Sequence, residues 1–176
     1  MKQIHFPDDF DALVEARRRL VFDEFFLFIM GMRYQNKKQQ KDKNEFEFKD
    51  DAFIDGLIEK LPYELTGAQK KTIDEIKQDI KSPYVMQRLI QGDVGSGKTI
   101  VAFLLMAWAS KCGYQSAIMA PTEVLANQHY ETFCSLVGQF GLDSPVVLLT
   151  GSMTAKQKRE AYARLENEKN ALIIGT

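Results

Sequence analysis

Four short apolar runs alternate with helical patterns in the second half of the chain. They cover residues 86–90, 116–120, 146–149 and 171–174. Each run is short enough for a buried strand, and the segments between them have apolar residues at helical spacing. Strands that alternate with helices in this way form a parallel sheet that has helices on both faces. The pattern therefore predicts an α/β fold.

The first part of the chain has a purely helical pattern. Pro7 and Asp8 are typical helix-start residues. From there we expect a long amphipathic helix to about residue 33, after an extended lead-in over residues 1–6. The stretch over residues 25–30 is apolar on all sides of this helix, so we expect other parts of the protein to cover it.

A strongly charged segment follows this helix. Residues 37–51 contain five lysines and five acidic residues, with Phe46 and Phe48 at alternating positions. This composition predicts an exposed, mobile connection. A loop that contacts DNA is the alternative, although the opposite charges cancel. The domain boundary is expected shortly afterwards, with an N-terminal helical region over residues 1–60 and the α/β domain over residues 61–176.

Two helix starts are marked by capping boxes, in which a threonine is followed three residues later by a glutamine. The pairs are Thr66 with Gln69 and Thr154 with Gln157. The first pair gives Gln69 a complete structural role as part of a cap. Spacing alone does not show whether Gln69 also contacts a nucleotide base. A further helix is expected over residues 123–137.

A glycine-rich octet follows the first apolar run. Its sequence, GDVGSGKT, fits the phosphate-binding pattern G-x-x-x-x-G-K-[ST]. Glycines let the backbone approach a triphosphate, and the N-terminus of the next helix attracts its charge. Lys98 would reach the β- and γ-phosphates, and the Thr99 hydroxyl would bind Mg²⁺. The predicted phosphate-binding residues are Gly92, Asp93, Val94, Gly95, Ser96, Gly97, Lys98 and Thr99, and the last two are also the predicted catalytic residues.

Three polar segments follow predicted strands at their carboxyl ends, where α/β sheets bind ligands. They are residues 121–123, 150–152 and 175–176. Their hydroxyl and N–H groups suit contacts with a nucleic-acid backbone. Ordinary strand-to-helix turns explain the same residues equally well, so the spacing leaves both interpretations open.

Composition and charge narrow the class of protein. The chain has 176 residues, of which 45% are apolar, and a formal net charge of −1. DNA would therefore bind a local surface, since there is no overall basic field. Cys112 and Cys134 lack zinc-type spacing, and the acidic N-terminus has no uninterrupted apolar core. We therefore expect a reduced cytoplasmic protein without a signal peptide or membrane segment.

Five motifs together resemble the first motor lobe of superfamily-two DNA helicases. In chain order they are LTGAQ at residues 65–69, GDVGSGKT at 92–99, APTEVLANQH at 120–129, LTGS at 149–152 and IIGT at 173–176. They are similar to the Q-type motif, motif I, motif Ia, motif Ib and the segment before motif II. With the N-terminal stretch ARRRLVFDEFF, they resemble the RecG family of bacterial branched-DNA helicases. Ser96 distinguishes the chain from the related transcription-repair coupling factor.

The resemblance implies a RecA-like lobe that binds ATP and Mg²⁺ and acts on branched DNA, such as replication forks and Holliday junctions. By the same resemblance Gln69 would contact adenine, and Thr99 would supply a ligand to the metal. Residues 1–60 would connect a wedge domain to the motor. The implied DNA-facing residues are Pro121, Thr122, Glu123, Thr150 and Gly151.

The family pattern extends beyond the motifs of this chain. Motif II, the second motor lobe and the wedge domain are not in it, so we expect a piece of a larger, monomeric helicase that is inactive by itself. Two other functions stay open: a translocase like the transcription-repair coupling factor, and a P-loop phosphotransferase that modifies a small metabolite. A third possible function is that of a non-catalytic P-loop module, which is less favoured because Lys98 and Thr99 are both present.

Overall fold

The computed structural model describes residues 2–38 and 42–176. The chain divides into two compact units, Met1–Asp42 and Lys43–Thr176. The boundary expected near residue 60, between the N-terminal helical region and the α/β domain, is defined by function and stays a prediction.

The first unit consists of two helices. A single-turn helix, α1, spans Lys2–His5, and a long helix, α2, spans Phe10–Lys38. The backbone N–H of Ala12 donates to Asp9 Oδ1 at 2.7 Å, so an aspartate caps the start of α2. The long helix is confirmed and continues further than expected. The extended lead-in is wrong, because the backbone closes a helical turn before α2 begins.

The apolar middle of α2 has exposed side chains. Residues 25–30 are between 48% and 71% exposed. Phe22 and Phe26 stack along the helix, with 5.8 Å between their ring centroids. The expected cover for this stretch is therefore not found among the described residues. Within those residues, no helix is both long and apolar enough to cross a membrane.

The second unit contains five helices and three strands. The helices are α3 Asp51–Glu59, α4 Gly67–Ile80, α5 Lys98–Lys111, α6 Glu123–Phe140 and α7 Ala155–Asn167. The strands are β1 Ser116–Met119, β2 Val146–Leu149 and β3 Leu172–Gly175. The middle strand, β3, pairs in parallel with both β1 and β2. The predicted helix over residues 123–137 is confirmed and extends to Phe140, where Gly141 ends it in the left-handed conformation.

The two faces of the sheet bury different side chains. Leu172 and Ile174 of β3 face a large cluster that includes buried residues of α4, α5 and α6. Val147 and Ile173 belong to a second cluster, which includes Ala161 of α7. Because successive side chains of a strand point to opposite faces, helices cover both sides of the sheet. The predicted α/β fold is confirmed.

The strand predicted at residues 86–90 is not formed. A strand needs a hydrogen-bonded neighbour, and the three strands of the sheet pair only with one another. This segment is instead tied to α4. Arg88 Nε donates to Asp79 Oδ2 at 2.7 Å, and Arg88 Nη1 donates to Glu75 Oε2 at 2.5 Å.

The charged segment after α2 is anchored in its second half, residues 43–50, which we call the strap. Trp108 Nε1 donates to the carbonyl oxygen of Lys49 at 2.8 Å. Trp108 is fully buried, so this bond joins the strap to the centre of the unit. Six of the eight strap residues are exposed, as predicted, whereas this bond to the core does not fit the predicted mobility. Residues 39–41, which the prediction also included, lie outside the described part of the chain.

The alternating phenylalanines explain why the strap is anchored. The Phe48 ring lies 4.9 Å from the Trp108 ring and 5.7 Å from the Tyr114 ring, measured between centroids. Phe46 meets Tyr114 at 5.2 Å but remains 55% exposed. Burial of aromatic surface therefore outweighs the polar character of the strap.

We predict that Phe48→Ala lowers the free energy of unfolding by about 2–3 kcal/mol, because it removes a packed ring from the core. Phe46→Ala should cost less than about 1 kcal/mol, because its ring is mostly exposed. Urea unfolding followed by circular dichroism measures both values. Small and equal costs for the two variants would show that the strap is mobile after all.

Candidate functional site

The start of α5 differs from the starts of its neighbours. Helices α4, α6 and α7 begin after Thr66, Thr122 and Thr154, and each threonine side chain accepts a hydrogen bond from a backbone N–H of its own helix. Helix α5 begins after Gly97, which has no side chain to act as a cap. The first N–H groups of α5 are thus available to an anion, which the helix dipole also attracts.

The Lys98 ammonium lies over the loop that precedes α5. Its Nζ donates to the carbonyl oxygens of Gly92 at 2.8 Å and Asp93 at 2.7 Å. Ser96 Oγ lies 3.4 Å from the same Nζ. A Cβ atom at position 92 would lie 2.7 Å from Ser96 Oγ, so a side chain there would displace the Ser96 hydroxyl. A positive charge thus lies beside the uncapped helix start, where a phosphate would bind.

Gln69 links α4 to the same loop. Its Oε1 accepts from the backbone N–H of Thr66 at 2.8 Å, which confirms the predicted capping box. Its Nε2 donates to the carbonyl oxygen of Ser96 at 3.0 Å. A Cβ atom at Gly97 would lie 2.3 Å from Gln69 Nε2. The side chain therefore fixes the position of the loop relative to α4, a role that its local spacing does not predict.

Helix α4, the loop before α5 and helix α6 together line a cleft of about 560 Å³. It is lined by Tyr63, Glu64, Thr66, Gln69, Gly95, Ser96, Gly97, Thr99, Ile100, Thr132 and Leu136. The cleft brings Gln69 and Thr99 together, as the sequence predicts. Four other residues that the sequence assigned to the site do not line the cleft: Gly92, Asp93, Val94 and Lys98. Val94 is fully exposed.

Sequence reasoning missed the residues of the cleft wall. Tyr63 lines the cleft and is 52% exposed, and its position just before the capping box could have indicated a role. Thr132 and Leu136 come from α6, far along the chain, and no local signal marks them. Among the described residues, no group of three or more His, Cys, Asp or Glu side chains could hold a metal ion. That search does not concern threonine hydroxyls, so the role of Thr99 as a Mg²⁺ ligand stays a prediction.

A second group of predicted residues meets at the ends of β1 and β2. Glu123 Oε1 accepts from the backbone N–H of Ser152 at 2.8 Å. The Ser152 hydroxyl, and then its backbone N–H, lower the pKa of Glu123 from its ordinary value. On the other side, Lys158 Nζ donates to the carbonyl oxygen of Gly151 at 3.0 Å. The turn after β1 and the turn after β2 are therefore in direct contact.

The remaining predicted residues of this edge differ in exposure. Pro121 and Thr122 are exposed. Thr150 is only 6% exposed, and its Oγ1 lies 3.4 Å from Ser152 Oγ. Hydroxyl groups from two different turns thus lie at one edge of the sheet, although the Thr150 side chain is not at the surface.

Comparison with known proteins identifies the family. Residues 66–176 match the family described as DEAD/DEAH box helicase, and they include the cleft residues Gln69 and Thr99. The chain belongs to the DEAD/DEAH box helicase family. The matched residues also include the loop before α5 and both turns at the sheet edge.

Relatives of this helicase chain extend the match to its whole length. It is 45% identical to the ATP-dependent DNA helicase RecG of Synechocystis sp., 42% identical to that of Staphylococcus aureus and 40% identical to that of Aquifex aeolicus. The alignments cover 99%, 100% and 100% of this chain, and 21%, 25% and 23% of the relatives. The resemblance to the RecG family is confirmed. The chain spans about a quarter of the length of these relatives.

A solved structure supports the fold of this helicase lobe. The crystal structure of a hypothetical ATP-dependent RNA helicase from Sulfolobus tokodaii matches 72% of this chain and 34% of its own chain. The TM-score is 0.51 and the sequence identity is 20%. This likeness concerns the fold alone.

We predict that Gly97→Ala destabilises the chain more than Gly95→Ala. Both glycines have positive φ, 77° and 80°, so each alanine should cost about 1 kcal/mol for its backbone conformation. Only the alanine at position 97 would also displace the Gln69 amide, which should add about 1–2 kcal/mol for its hydrogen bonds. Thermal unfolding of the two variants measures the difference. Equal costs would contradict the link between Gln69 and the loop.

Proposed function

We propose that the chain is the ATP-binding part of an ATP-dependent DNA helicase that acts on branched DNA, such as replication forks and Holliday junctions, in recombination and repair. The observation that supports this most is the shared cleft, which combines the uncapped start of α5 with Thr99 and Gln69. The match to RecG helicases along the whole chain supports DNA as the partner. We place this activity in the cytoplasm, in a monomeric parent protein.

The phosphates of ATP would bind at the start of α5. The backbone from Gly95 to Thr99 would surround them, with Gly92, Asp93 and Val94 forming the outer part of the loop. Lys98 would transfer its hydrogen bonds from backbone carbonyls to the phosphate oxygens. The Thr99 hydroxyl would hold Mg²⁺, which neutralises the charge that develops on the phosphates when it is bound.

The adenine would bind at the Tyr63 end of the cleft. The Gln69 amide is held in one orientation there, because its Oε1 accepts from the Thr66 N–H and its Nε2 donates to the Ser96 carbonyl. An oriented amide distinguishes bases by their hydrogen-bonding edge. The Tyr63 ring offers a flat apolar surface on which a base can stack.

The DNA backbone would bind along the turns after β1 and β2. Pro121, Thr122, Glu123, Thr150 and Gly151 are the proposed DNA-facing residues. Exposed hydroxyl and N–H groups would contact phosphates, and Thr150 would support the turn from below. This local surface is consistent with the net charge of −1, since backbone donors need no overall basic field.

Two alternatives are less well supported. The activity of a metabolite phosphotransferase would not account for the contact between the turns after β1 and β2, which lies apart from the cleft. A translocase like the transcription-repair coupling factor would share the cleft and the turns. It is less favoured because the three relatives named above, which match the chain along its whole length, are RecG helicases.

We predict that the full-length protein hydrolyses ATP faster with a model fork than with linear duplex or without DNA. Lys98→Ala should lower kcat at least about 100-fold, because it removes a charge that faces the transferred phosphoryl group. Steady-state ATP turnover with each DNA measures both effects. Lys71→Ala is the matched control, since Lys71 is an exposed lysine of α4 whose ammonium lies 3.9 Å from Glu75 and not over the loop before α5.

The controls separate the candidate functions. Turnover that is the same with every DNA would contradict the helicase and would favour a phosphotransferase. Stimulation by linear duplex alone would favour the coupling-factor-like translocase over a branched-DNA helicase.

We also predict that Tyr63→Ala raises the KM for ATP about tenfold, the scale of one lost base stack. Tyr63→Phe keeps the ring and should keep the KM within about twofold, since stacking needs no hydroxyl. ATP turnover at saturating DNA gives both constants. An equal loss in the two variants would assign the effect to the hydroxyl and would contradict stacking.

A further inference from the structure

Glu123 is an unexpected residue at the edge that is proposed to face DNA. A carboxylate close to phosphates repels them, and its lowered pKa means that it stays ionised. Its neighbours at the strand ends, Thr122 and Ser152, have hydroxyl groups that suit phosphate contacts. The acid therefore needs a role other than direct contact with DNA.

The geometry shows where the carboxylate acts. Glu123 Oε1 accepts a hydrogen bond from the backbone N–H of Ser152, and Lys158 Nζ donates to the carbonyl oxygen of Gly151. These two groups belong to one peptide unit, the bond between Gly151 and Ser152. A charged side chain from α6 and one from α7 thus hold opposite ends of the same peptide.

The absence of a side chain at position 151 permits this arrangement. A Cβ atom there would lie 3.0 Å from Glu123 Oε1, which is closer than ordinary van der Waals contact. Charge-assisted hydrogen bonds are about twice as strong as neutral ones, and a peptide held at both ends cannot rotate freely. The orientation of the Gly151–Ser152 peptide and of the neighbouring backbone is then set before DNA arrives.

We infer that Glu123 and Lys158 are positioning residues, which fix the Gly151–Ser152 peptide so that the turns after β1 and β2 present one preformed surface to the DNA backbone. This inference rests on the proposed function. It assigns Glu123 a contact with the protein and not with DNA. Preformed donors lower the ordering cost of binding, so loss of either residue weakens binding through the same peptide.

The test is a double-mutant cycle on DNA affinity in the full-length protein, measured by fluorescence anisotropy with a labelled fork. Glu123→Ala and Lys158→Ala should each raise Kd about tenfold, and the double variant should raise it about tenfold rather than 100-fold, because both act on one peptide. Glu123→Gln keeps the acceptor oxygen and should stay within about threefold of wild type. Glu131→Gln, an exposed acid of α6, is the matched charge control.

Amide hydrogen exchange provides a readout that does not depend on DNA. The Ser152 amide should exchange faster in Glu123→Ala than in wild type and should remain protected in Glu123→Gln. Unchanged exchange in Glu123→Ala would overturn the inference. Tighter DNA binding by Glu123→Ala, or additive effects of the two alanines, would overturn it as well, because these results indicate direct and independent contacts.

Failure of the proposed function has a different signature. If the wild-type protein binds no DNA, the helicase proposal fails and the positioning role fails with it. If wild type binds the fork and Glu123→Ala binds it equally well, only the positioning role is wrong.

Discussion

The burial of α5 is the constraint on which the second unit depends. Nine of its residues are buried, among them Phe103, Leu104 and Trp108. The helix packs on α3, α4, β1 and β3, so it has no polar face and its position is fixed from several sides. Burying such a helix is favourable only if its ends are satisfied. Its last turn is satisfied by the protein, whereas its first turn has no side-chain cap. That difference leaves N–H groups available to an anion at the start of the most buried helix of the unit.

Fixing the loop before α5 requires a second contact, which Gln69 supplies. The same side chain completes the cap of α4 and bonds the Ser96 carbonyl. A single residue thus makes the start of one helix and the loop before another into one rigid wall. The sequence predicts the first half of this role, because a capping box is a local pattern. The second half depends on how α4 packs, so it could not be predicted from spacing.

The difference between local sequence patterns and tertiary packing also explains which other predictions of the fold were correct. Both capping boxes, the long helix and three of the four strands have local signals, and all of them are found. The strand at residues 86–90 is not formed, and the exposed strap is anchored rather than free, because both outcomes depend on distant partners. A strand needs a neighbouring strand, and the strap is held by Trp108, about sixty residues later. Tyr63 and α6 residues line the cleft for the same reason: tertiary packing, not sequence pattern, brings them there.

The charged side chains at the sheet edge are also bonded to groups from other parts of the chain. A chain with a net charge of −1 can offer a phosphate-binding surface only if its acids there are neutralised by the protein. Glu123 accepts from Ser152, and Lys158 donates to the adjacent carbonyl, so each charge is used internally. The Ser152 N–H and the Gly151 carbonyl are thereby occupied within the protein, so a partner would meet the other polar groups of this edge, such as the exposed Thr122 hydroxyl. On the proposed function, affinity for DNA in this lobe therefore comes from orientation of neutral donors, and the stronger electrostatic attraction has to come from other parts of the protein.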